Sequence, residues 1–376
     1  MSRSRNVVGG MSGTSLDGLD LALVEVLGTG LELRAHLLHT HSVDLGETEQ
    51  PLRALARGDA LTAAEICRCT RRFAQLHVAA IEELLAAVHE PDLICLHGQT
   101  VFHNPPLSWQ LLDGAWIAQR LATPVVYDLR AADLADGGEG APITPLADWL
   151  LLASADESRV VVNLGGFCNY TWLPHRPAHL ADPTRLSLIR GADVCACNQL
   201  LDAAAWLAIR RPFDRDGATA RSGRLNSAVA ERIRVALAAQ ARQGRSLGSV
   251  DDITALVSEC AKTAPPADLL HSACVALATT IADHLPPSDR VLVAGGGAAN
   301  AFLVDCLRER VRAPLTLSDA AGVPAPYREA MAIAVLGALC CDGVPITLPQ
   351  ITGCRDPAPL CGVLAPAGQR NRFTAG

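Results

Sequence analysis

Short segments of alternating apolar and polar residues run through the chain, and most of them end in glycine or in a polar cluster. In "NVVGGMSGTSLDGLDLALVEV", residues 6–26, two alternating runs flank a turn of glycine, serine, threonine and aspartate. Because successive side chains of a strand point to opposite faces, this pattern predicts a β-hairpin. Residues 31–43 continue the alternation and predict a third strand.

The same pattern begins again at Arg159, where "RVVVNLGGFCNYTWL" predicts another strand, glycine turn and strand. Continuous apolar runs in "PDLICLHG", "TPVVYDLR" and "RVLVAGGG" predict buried strands. Apolar residues at helical spacing predict helices, among them those over residues 62–89, 198–210, 226–243 and 265–285 and in "YREAMAIAVLGALC". Two halves that each open on such a hairpin are typical of the actin-like fold of sugar kinases and chaperones.

The length of 376 residues is long for one domain, so we expect two. Residues 1–128 and 346–376 are assigned to the first domain, because we expect the proline- and glycine-rich tail to pack back on it. Residues 129–345 form the predicted second domain. No apolar run reaches the roughly 20 residues of a membrane-spanning helix, and the N-terminus lacks the apolar core of a secretion signal. We therefore expect a cytoplasmic protein with no membrane partner.

Charge and cysteine usage narrow the function further. The net charge of −7 argues against nucleic acid or an anionic membrane as the main partner. The 13 cysteines lie mostly in apolar stretches and show no zinc-binding spacing with histidines. We expect reduced, mostly buried thiols rather than disulfides or a metal site. The oligomeric state is not determined by the sequence, and a homodimer is compatible with it.

Three glycine turns follow predicted strands, and the chain has no Walker A motif. Each turn alone is equally well explained as an ordinary loop, but together they predict ATP held by backbone amides. The candidate residues of the first turn are Gly13, Thr14, Ser15, Leu16, Asp17, Gly18, Leu19 and Asp20. Those of the second and third turns are Gly165, Gly166, Gly295, Gly296, Gly297 and Asn300. Asp17 is the candidate Mg²⁺ ligand, alone or through water.

Isolated polar residues follow three apolar segments: His97 in "HGQT", Arg130 in "DLR" and Glu329 in "REA". A histidine after a strand is commonly a satisfied structural residue, and an arginine with a carboxylate can form a structural ion pair. These residues are equally suited to bind the hydroxyls and carboxylate of a sugar acid, since the guanidinium fork matches a carboxylate.

At this level of detail the sequence resembles the anhydro-N-acetylmuramic acid kinases. The resemblance runs along nearly the whole chain, through "MSGTSLDGLD", "HGQTVFHNPP", "DGAWIAQRLATPVVYDLRAADLADGGEGAP", "NLGGFCN", "PFDRDGATARSG", "VLVAGGGAAN" and "YREAMAIAVLGAL". It implies an α/β, two-domain actin-like (ribonuclease H-like) sugar kinase fold with ATP in the interdomain cleft. It also implies ATP and Mg²⁺ as cofactors and a small amino sugar as substrate. The implied reaction opens the 1,6-anhydro ring and phosphorylates O6, giving N-acetylmuramic acid 6-phosphate in cell-wall recycling.

The resemblance places the general base at Asp193, in the segment "GADVCACN". The family pattern there reads Gly-Phe-Asp-Thr-Gly-Pro-Gly-Asn, so Val194 replaces the threonine and Cys195-Ala196-Cys197 replaces Gly-Pro-Gly. If those glycines have glycine-specific backbone angles, the cysteines would be strained. Three explanations stay open: an altered but catalytic loop, a kinase for a different sugar, or an inactive relative that binds nucleotide or sugar. A nucleophilic or metal-binding role for the two cysteines lacks a nearby base or further ligands.

Overall fold

A computed structural model of the chain describes residues 4–86, 90–176, 183–243 and 250–367. The described residues separate into two compact units. The first unit contains the described residues within 1–151, 181–187 and 327–376, and the second contains those within 152–180 and 188–326. Each unit is an α/β body with its own sheet and its own apolar core.

Thirteen strands, numbered along the chain, form the sheets. They are β1 Ser4–Met11, β2 Leu19–Leu27, β3 Arg34–Val43, β4 Leu93–Leu96, β5 Gln99–Asn104, β6 Leu107–Leu111, β7 Val125–Tyr127, β8 Arg159–Leu164, β9 Phe167–Leu173, β10 Arg190–Ala196, β11 Arg290–Ala294, β12 Leu315–Leu317 and β13 Val363–Ala365.

Fourteen α-helices are found among the described residues, and short 3₁₀ turns join some of them. The helices are α1 Glu49–Ala56, α2 Ala63–Leu85, α3 Gly114–Leu121, α4 Ala131–Ala135, α5 Pro145–Leu152, α6 Pro183–Leu186, α7 Asn198–Ile209, α8 Ala218–Ser222, α9 Ser227–Gln243, α10 Val250–Ala261, α11 Pro266–His284, α12 Ala301–Arg308, α13 Arg328–Cys341 and α14 Pro349–Thr352.

The sheet of the first unit has the strand order β13-β7-β4-β1-β2-β3. Strands β1, β2 and β3 are antiparallel neighbours, whereas β4 and β7 run parallel to β1. Strand β13 adds to β7 in the antiparallel direction, so the tail packs on the first unit as the sequence predicts. The hairpin of β1 and β2 and the third strand, β3, are likewise confirmed.

The sheet of the second unit repeats this plan. Its order is β10-β9-β8-β11-β12, with β8, β9 and β10 antiparallel and with β11 and β12 parallel to β8. When the strands are numbered within each sheet, both sheets contain the order 3-2-1-4-5. The predicted α/β fold, with a hairpin opening each half, is therefore confirmed.

Helix α13 packs directly on the first sheet, because two glycines remove the side chains between them. A Cβ at Gly9 of β1 would collide with the Ala330 carbonyl oxygen and lie 2.6 Å from the Ala334 nitrogen. A Cβ at Gly337 of α13 would collide with the Cys95 side chain of β4. The helix and two neighbouring strands are therefore in near-backbone contact.

The boundaries of the units differ from the domains assigned from the sequence. Residues 129–151 and 327–345 were expected in the second domain, and they lie in the first unit. The cause is long-range packing: α13 covers the first sheet, and Arg328 at its start forms an ion pair with Asp148 of α5. Two strand pairings also escaped the sequence prediction, namely the β5–β6 hairpin and β10 beside β9.

Eleven of the 13 cysteines are buried, as the sequence predicts, and Cys67 and Cys341 are exposed. Within the part of the chain that the structure describes, no helix combines the length and apolar composition that a bilayer-spanning segment needs.

Replacing Asp148 with alanine should destabilise the first unit strongly. The Asp148 and Arg328 side chains are 0% and 1% exposed, and Arg328 Nε donates to Asp148 Oδ1 at 2.8 Å. Removing one partner leaves a buried, uncompensated charge, which costs about 3–5 kcal/mol. Urea denaturation should show the loss. In the matched control, Asp59→Ala breaks the exposed pair with Arg57 and should cost at most about 1 kcal/mol. Equal losses in the two variants would contradict this account.

Candidate functional site

The tip of the β1–β2 hairpin carries the first glycine turn, and buried side chains of the first unit fix the backbone of this turn. Leu16 has a left-handed backbone, with φ 58°, yet its side chain is buried in the core of the unit. Its N–H donates to the Gly13 carbonyl oxygen at 3.2 Å. The buried Gln99 accepts from the Ser12 hydroxyl at 2.6 Å and donates to the Gly13 carbonyl at 3.2 Å. These contacts fix the tip and leave Thr14 exposed.

Two features of this tip are compatible with a phosphate and its metal ion. A Cβ at Gly13 would meet only the Ser15 hydroxyl, at 3.4 Å, so packing alone does not require glycine there. Asp17 is exposed, and its Oδ1 accepts from the Ser15 hydroxyl at 2.8 Å. Among the described residues no group of three or more acidic, histidine or cysteine side chains could hold a metal. A single carboxylate is sufficient for Mg²⁺ that is bound mainly by phosphates and water.

Arg130 and His97 are in direct contact in the first unit. Arg130 Nε and Nη2 lie 3.1 and 2.8 Å from His97 Nε2, and Arg130 Nη1 donates to the Gly140 carbonyl at 2.5 Å. His97 Nδ1 lies 2.9 Å from the Gly98 carbonyl, so Nδ1 carries the proton and Nε2 accepts. Burial, together with the charge of Arg130, lowers the pKa of His97 to about 3. His97 is therefore a neutral acceptor that orients the guanidinium.

Glu329 and Asp20 form an acidic pair near the same arginine. Burial raises the pKa of Glu329, and the charges of Asp148 and Asp20 raise it further, whereas Arg328 and Arg130 lower it. Burial also raises the pKa of Asp20, whose Oδ1 accepts from the Ser42 hydroxyl at 2.6 Å. Among the predicted residues of the first unit, Arg130 thus contacts His97 and acts electrostatically on Glu329, as Asp20 does.

In the second unit, the Gly165–Gly166 turn is bonded to the start of α7. The Gly166 carbonyl accepts from the Cys197 N–H at 2.9 Å, and the Gly165 carbonyl accepts from the Asn198 N–H at 3.0 Å. Asn198 Nδ2 donates to the Leu164 carbonyl at 3.2 Å. The strand that carries Asp193 therefore ends on the glycine turn.

The three glycines after β11 are required for different reasons. A Cβ at Gly295 would lie 2.7 Å from Asn163 Oδ1, and one at Gly297 would lie 2.7 Å from Asn198 Oδ1. Both glycines are required by the close approach of the β8–β9 turn. A Cβ at Gly296 would instead have only Asn198 Nδ2 near it, at 4.0 Å. Gly296 thus faces space that a ligand can fill.

Asn300 has a structural use that the sequence did not indicate. Its Oδ1 accepts from the Leu303 N–H at 3.0 Å and so caps helix α12. A Cβ at Gly217 would also collide with this side chain. The amide oxygen of this candidate ATP-binding residue is therefore already engaged within the protein.

Asp193 lies on β10, opposite Asn169 of β9 and just before a β-bulge. The segment expected to be a loop is therefore a strand through Ala196. None of residues 194–197 has a positive φ, so none of them has a left-handed backbone that would favour glycine. Val194, Cys195 and Cys197 are buried in the core of the unit, and Asp193 itself is half-buried.

Burial makes the thiols of Cys195 and Cys197, which follow Asp193, poor nucleophiles. Burial raises the pKa of Cys195 to about 12 and that of Cys197 well above its ordinary value. Because the thiolate is the nucleophile, neither side chain is suited to covalent chemistry. They replace family glycines as core residues.

Two buried residues that support the predicted site were not identified from the sequence, namely Gln99 and Asp133. Asp133 is buried and accepts from the Gly140 N–H at 2.7 Å. Each stands inside a motif that was noticed, so position within the motif was the available signal. Their roles depend on contacts distant in the chain.

Comparison with known proteins agrees with these features. The family model described as anhydro-N-acetylmuramic acid kinase matches residues 5–367. An anhydro-N-acetylmuramic acid kinase of Synechococcus elongatus is 35% identical, over 96% of this chain and 99% of that protein. One from Gloeobacter violaceus is 34% identical, over 96% and 98%.

Among solved structures, the chain is similar to a ROK family glucokinase from Streptomyces griseus, in complex with glucose and AMPPNP. The identity is 16% and the TM-score 0.40, over 88% of this chain and 99% of that one. At that level the likeness adds nothing to the assignment, which rests on the family model and the full-length relatives. The chain belongs to the anhydro-N-acetylmuramic acid kinase family.

Proposed function

We propose that the protein is an ATP-dependent kinase that opens 1,6-anhydro-N-acetylmuramic acid and phosphorylates O6. The product is N-acetylmuramic acid 6-phosphate, and the reaction belongs to cell-wall recycling in the cytoplasm. The proposal is carried by one observation: Asp193 is kept, half-buried, on a strand that ends on a glycine turn. Full-length membership of the kinase family supports it.

The substrate determines what a base must do. An anhydro sugar has no O6–H, so the base takes a proton from water, and that water attacks C1 while the C1–O6 bond breaks. Asp193 is proposed as this base, and pairing of β10 with β9 fixes its backbone in a strand rather than in a loop. ATP supplies the phosphoryl group that O6 receives, and Mg²⁺ neutralises phosphate charge.

The remaining proposed roles follow from the contacts of each residue. Arg130, oriented by neutral His97, binds the carboxylate of the sugar acid through a charge-assisted hydrogen bond. Glu329, whose pKa is raised by burial, binds sugar hydroxyls, whereas Asp20 belongs to the first glycine turn. The amides of the first turn face the phosphates, with Asp17 as the metal-side carboxylate. The open side of Gly296 accommodates the nucleoside.

Among the described residues, no contact favours an inactive relative. The Cys-Ala-Cys replacement is accommodated as buried core without positive φ, so the frame around Asp193 persists. The deciding experiment is an ADP-release assay with anhydro-N-acetylmuramic acid, N-acetylglucosamine or no sugar. Turnover only with the anhydro sugar supports the proposal. Turnover with N-acetylglucosamine alone would make the protein a kinase for a different sugar, and none with either would indicate a non-catalytic relative.

Replacing Asp193 with asparagine should nearly abolish turnover and leave ATP binding unchanged. A positioned general base contributes about 10²–10⁴-fold to a rate, and the amide cannot take the proton. Turnover is measured by ADP release and ATP binding by isothermal titration calorimetry. Asp202→Asn, on the following helix, is a control for charge loss in the same region. Undiminished turnover in the Asp193 variant would remove this residue from the mechanism.

Alanine at Gly296 should weaken ATP binding about tenfold, or ~1.4 kcal/mol, without lowering thermal stability. The new methyl group occupies open space where the nucleoside is proposed to lie. Alanine at Gly297 is the matched contrast, since its Cβ would clash with Asn198 and Leu164. It should lower stability by about 1–3 kcal/mol. Calorimetry and thermal unfolding separate the two effects. Unchanged ATP affinity in Gly296→Ala would exclude this placement of the nucleoside.

A further inference from the structure

A carboxylate that the proposed reaction does not use is buried beneath Arg130. Asp133 of α4 is 2% exposed. Its Oδ2 accepts from the Gly140 N–H at 2.7 Å, and its Oδ1 accepts from the Thr352 hydroxyl at 2.7 Å. Asp133 makes no ion pair with any described residue. A carboxylate buried among neutral donors is costly unless those hydrogen bonds are kept, so its geometry is strongly constrained.

The chain from Gly138 to Gly140 is wrapped around this carboxylate. A Cβ at Gly138 would collide with Asp133 Oδ2, and the Gly138 N–H donates to the Asp133 carbonyl at 2.8 Å. The Glu139 N–H donates to the Thr352 carbonyl at 2.8 Å. Asp133 and Thr352 therefore determine where Gly140 lies.

Gly140 in turn determines where Arg130 points. Its carbonyl accepts from Arg130 Nη1 at 2.5 Å, while His97 Nε2 accepts from the other edge of the guanidinium. Four rotatable bonds separate the Arg130 backbone from its guanidinium, so fixing both edges of that group removes most of its freedom. A shift of Gly140 would rotate the guanidinium about the His97 contact.

We infer that Asp133 and Thr352 are positioning residues that orient the guanidinium of Arg130 through Gly140. The inference rests on the proposed function, in which Arg130 binds the carboxylate of the sugar. Neither residue touches the substrate. Their effect should fall on sugar recognition and not on ATP.

The first test replaces the Thr352 hydroxyl. Thr352→Val keeps the shape and removes one hydrogen bond to Asp133, so the KM for anhydro-N-acetylmuramic acid should rise about tenfold. The KM for ATP and the kcat should change less than about twofold. Thr352→Ser restores the hydroxyl and should restore the sugar KM. Asp133→Asn, which can still accept from Gly140 and donate to the Thr352 hydroxyl, should have a smaller effect than Asp133→Ala.

A neighbouring carboxylate supplies the matched control. Asp136 follows α4, and its Oδ2 accepts from the N–H groups of Arg355 and Asp356 at 2.5 and 2.6 Å. It therefore docks the same C-terminal segment without contacting Gly140 or Arg130. Asp136→Ala, which removes the acceptor oxygens, should lower thermal stability and leave the sugar KM unchanged. An equal rise in sugar KM in this control, or no rise in Thr352→Val, overturns the inference.

A readout without substrate separates this inference from the proposed function. Arg130 donates to His97 Nε2, so reorienting the guanidinium should shift the ¹⁵N resonance of that nitrogen, assigned with His97→Gln. The shift is expected in Thr352→Val and absent in Asp136→Ala. If the wild type does not turn over the anhydro sugar, the proposed function fails, and this resonance still decides the inference. An unmoved resonance in Thr352→Val overturns it even if the protein is an active kinase.

Discussion

The contact between α13 and the first sheet is the constraint on which much of the first unit depends. Gly9 and Gly337 let the helix approach β1 and β4 so closely that a methyl group at either position would collide. This approach sets the start of the helix, where Arg328 is buried against Asp148 and Glu329 stands near Asp20. The acidic pair of the candidate site is thus a product of core packing.

A similar dependence holds in the second unit, where Asn198 joins separate parts of the candidate site. Its side chain donates to the β8–β9 turn and fills the space beside Gly297. The Asn198 side chain therefore links the segment after Asp193 to both glycine turns. A shift of either turn would displace this side chain and so affect the other turn. The buried Cys195 and Cys197 reinforce this frame with apolar contacts.

The sequence predicted most strands and helices because alternation and helical spacing are local signals. It failed at β10, where glycine, alanine and cysteine give no alternation and pairing with β9 decides the structure. It also misplaced the unit boundaries, since the Arg328–Asp148 pair joins residues 180 positions apart. Within the site, the glycine turns and Arg130 were visible as motifs. Asp133 could not be identified in this way, because in the sequence it resembles any acidic residue of a short helix. Its role depends on the contact with Thr352, which is distant in the chain. Glycine itself was ambiguous: packing explains Gly295 and Gly297, and only Gly296 faces open space.

The distribution of thiols has a practical consequence. Both exposed cysteines, Cys67 and Cys341, lie in the first unit, whereas the six cysteines of the second unit are all buried. An alkylating reagent added to the native protein should therefore modify the first unit at once. It can reach the second only when that core opens. The rate of the slow phase of alkylation would then report how often the core of the second unit, which carries Asp193, opens. No engineered label is needed for this measurement.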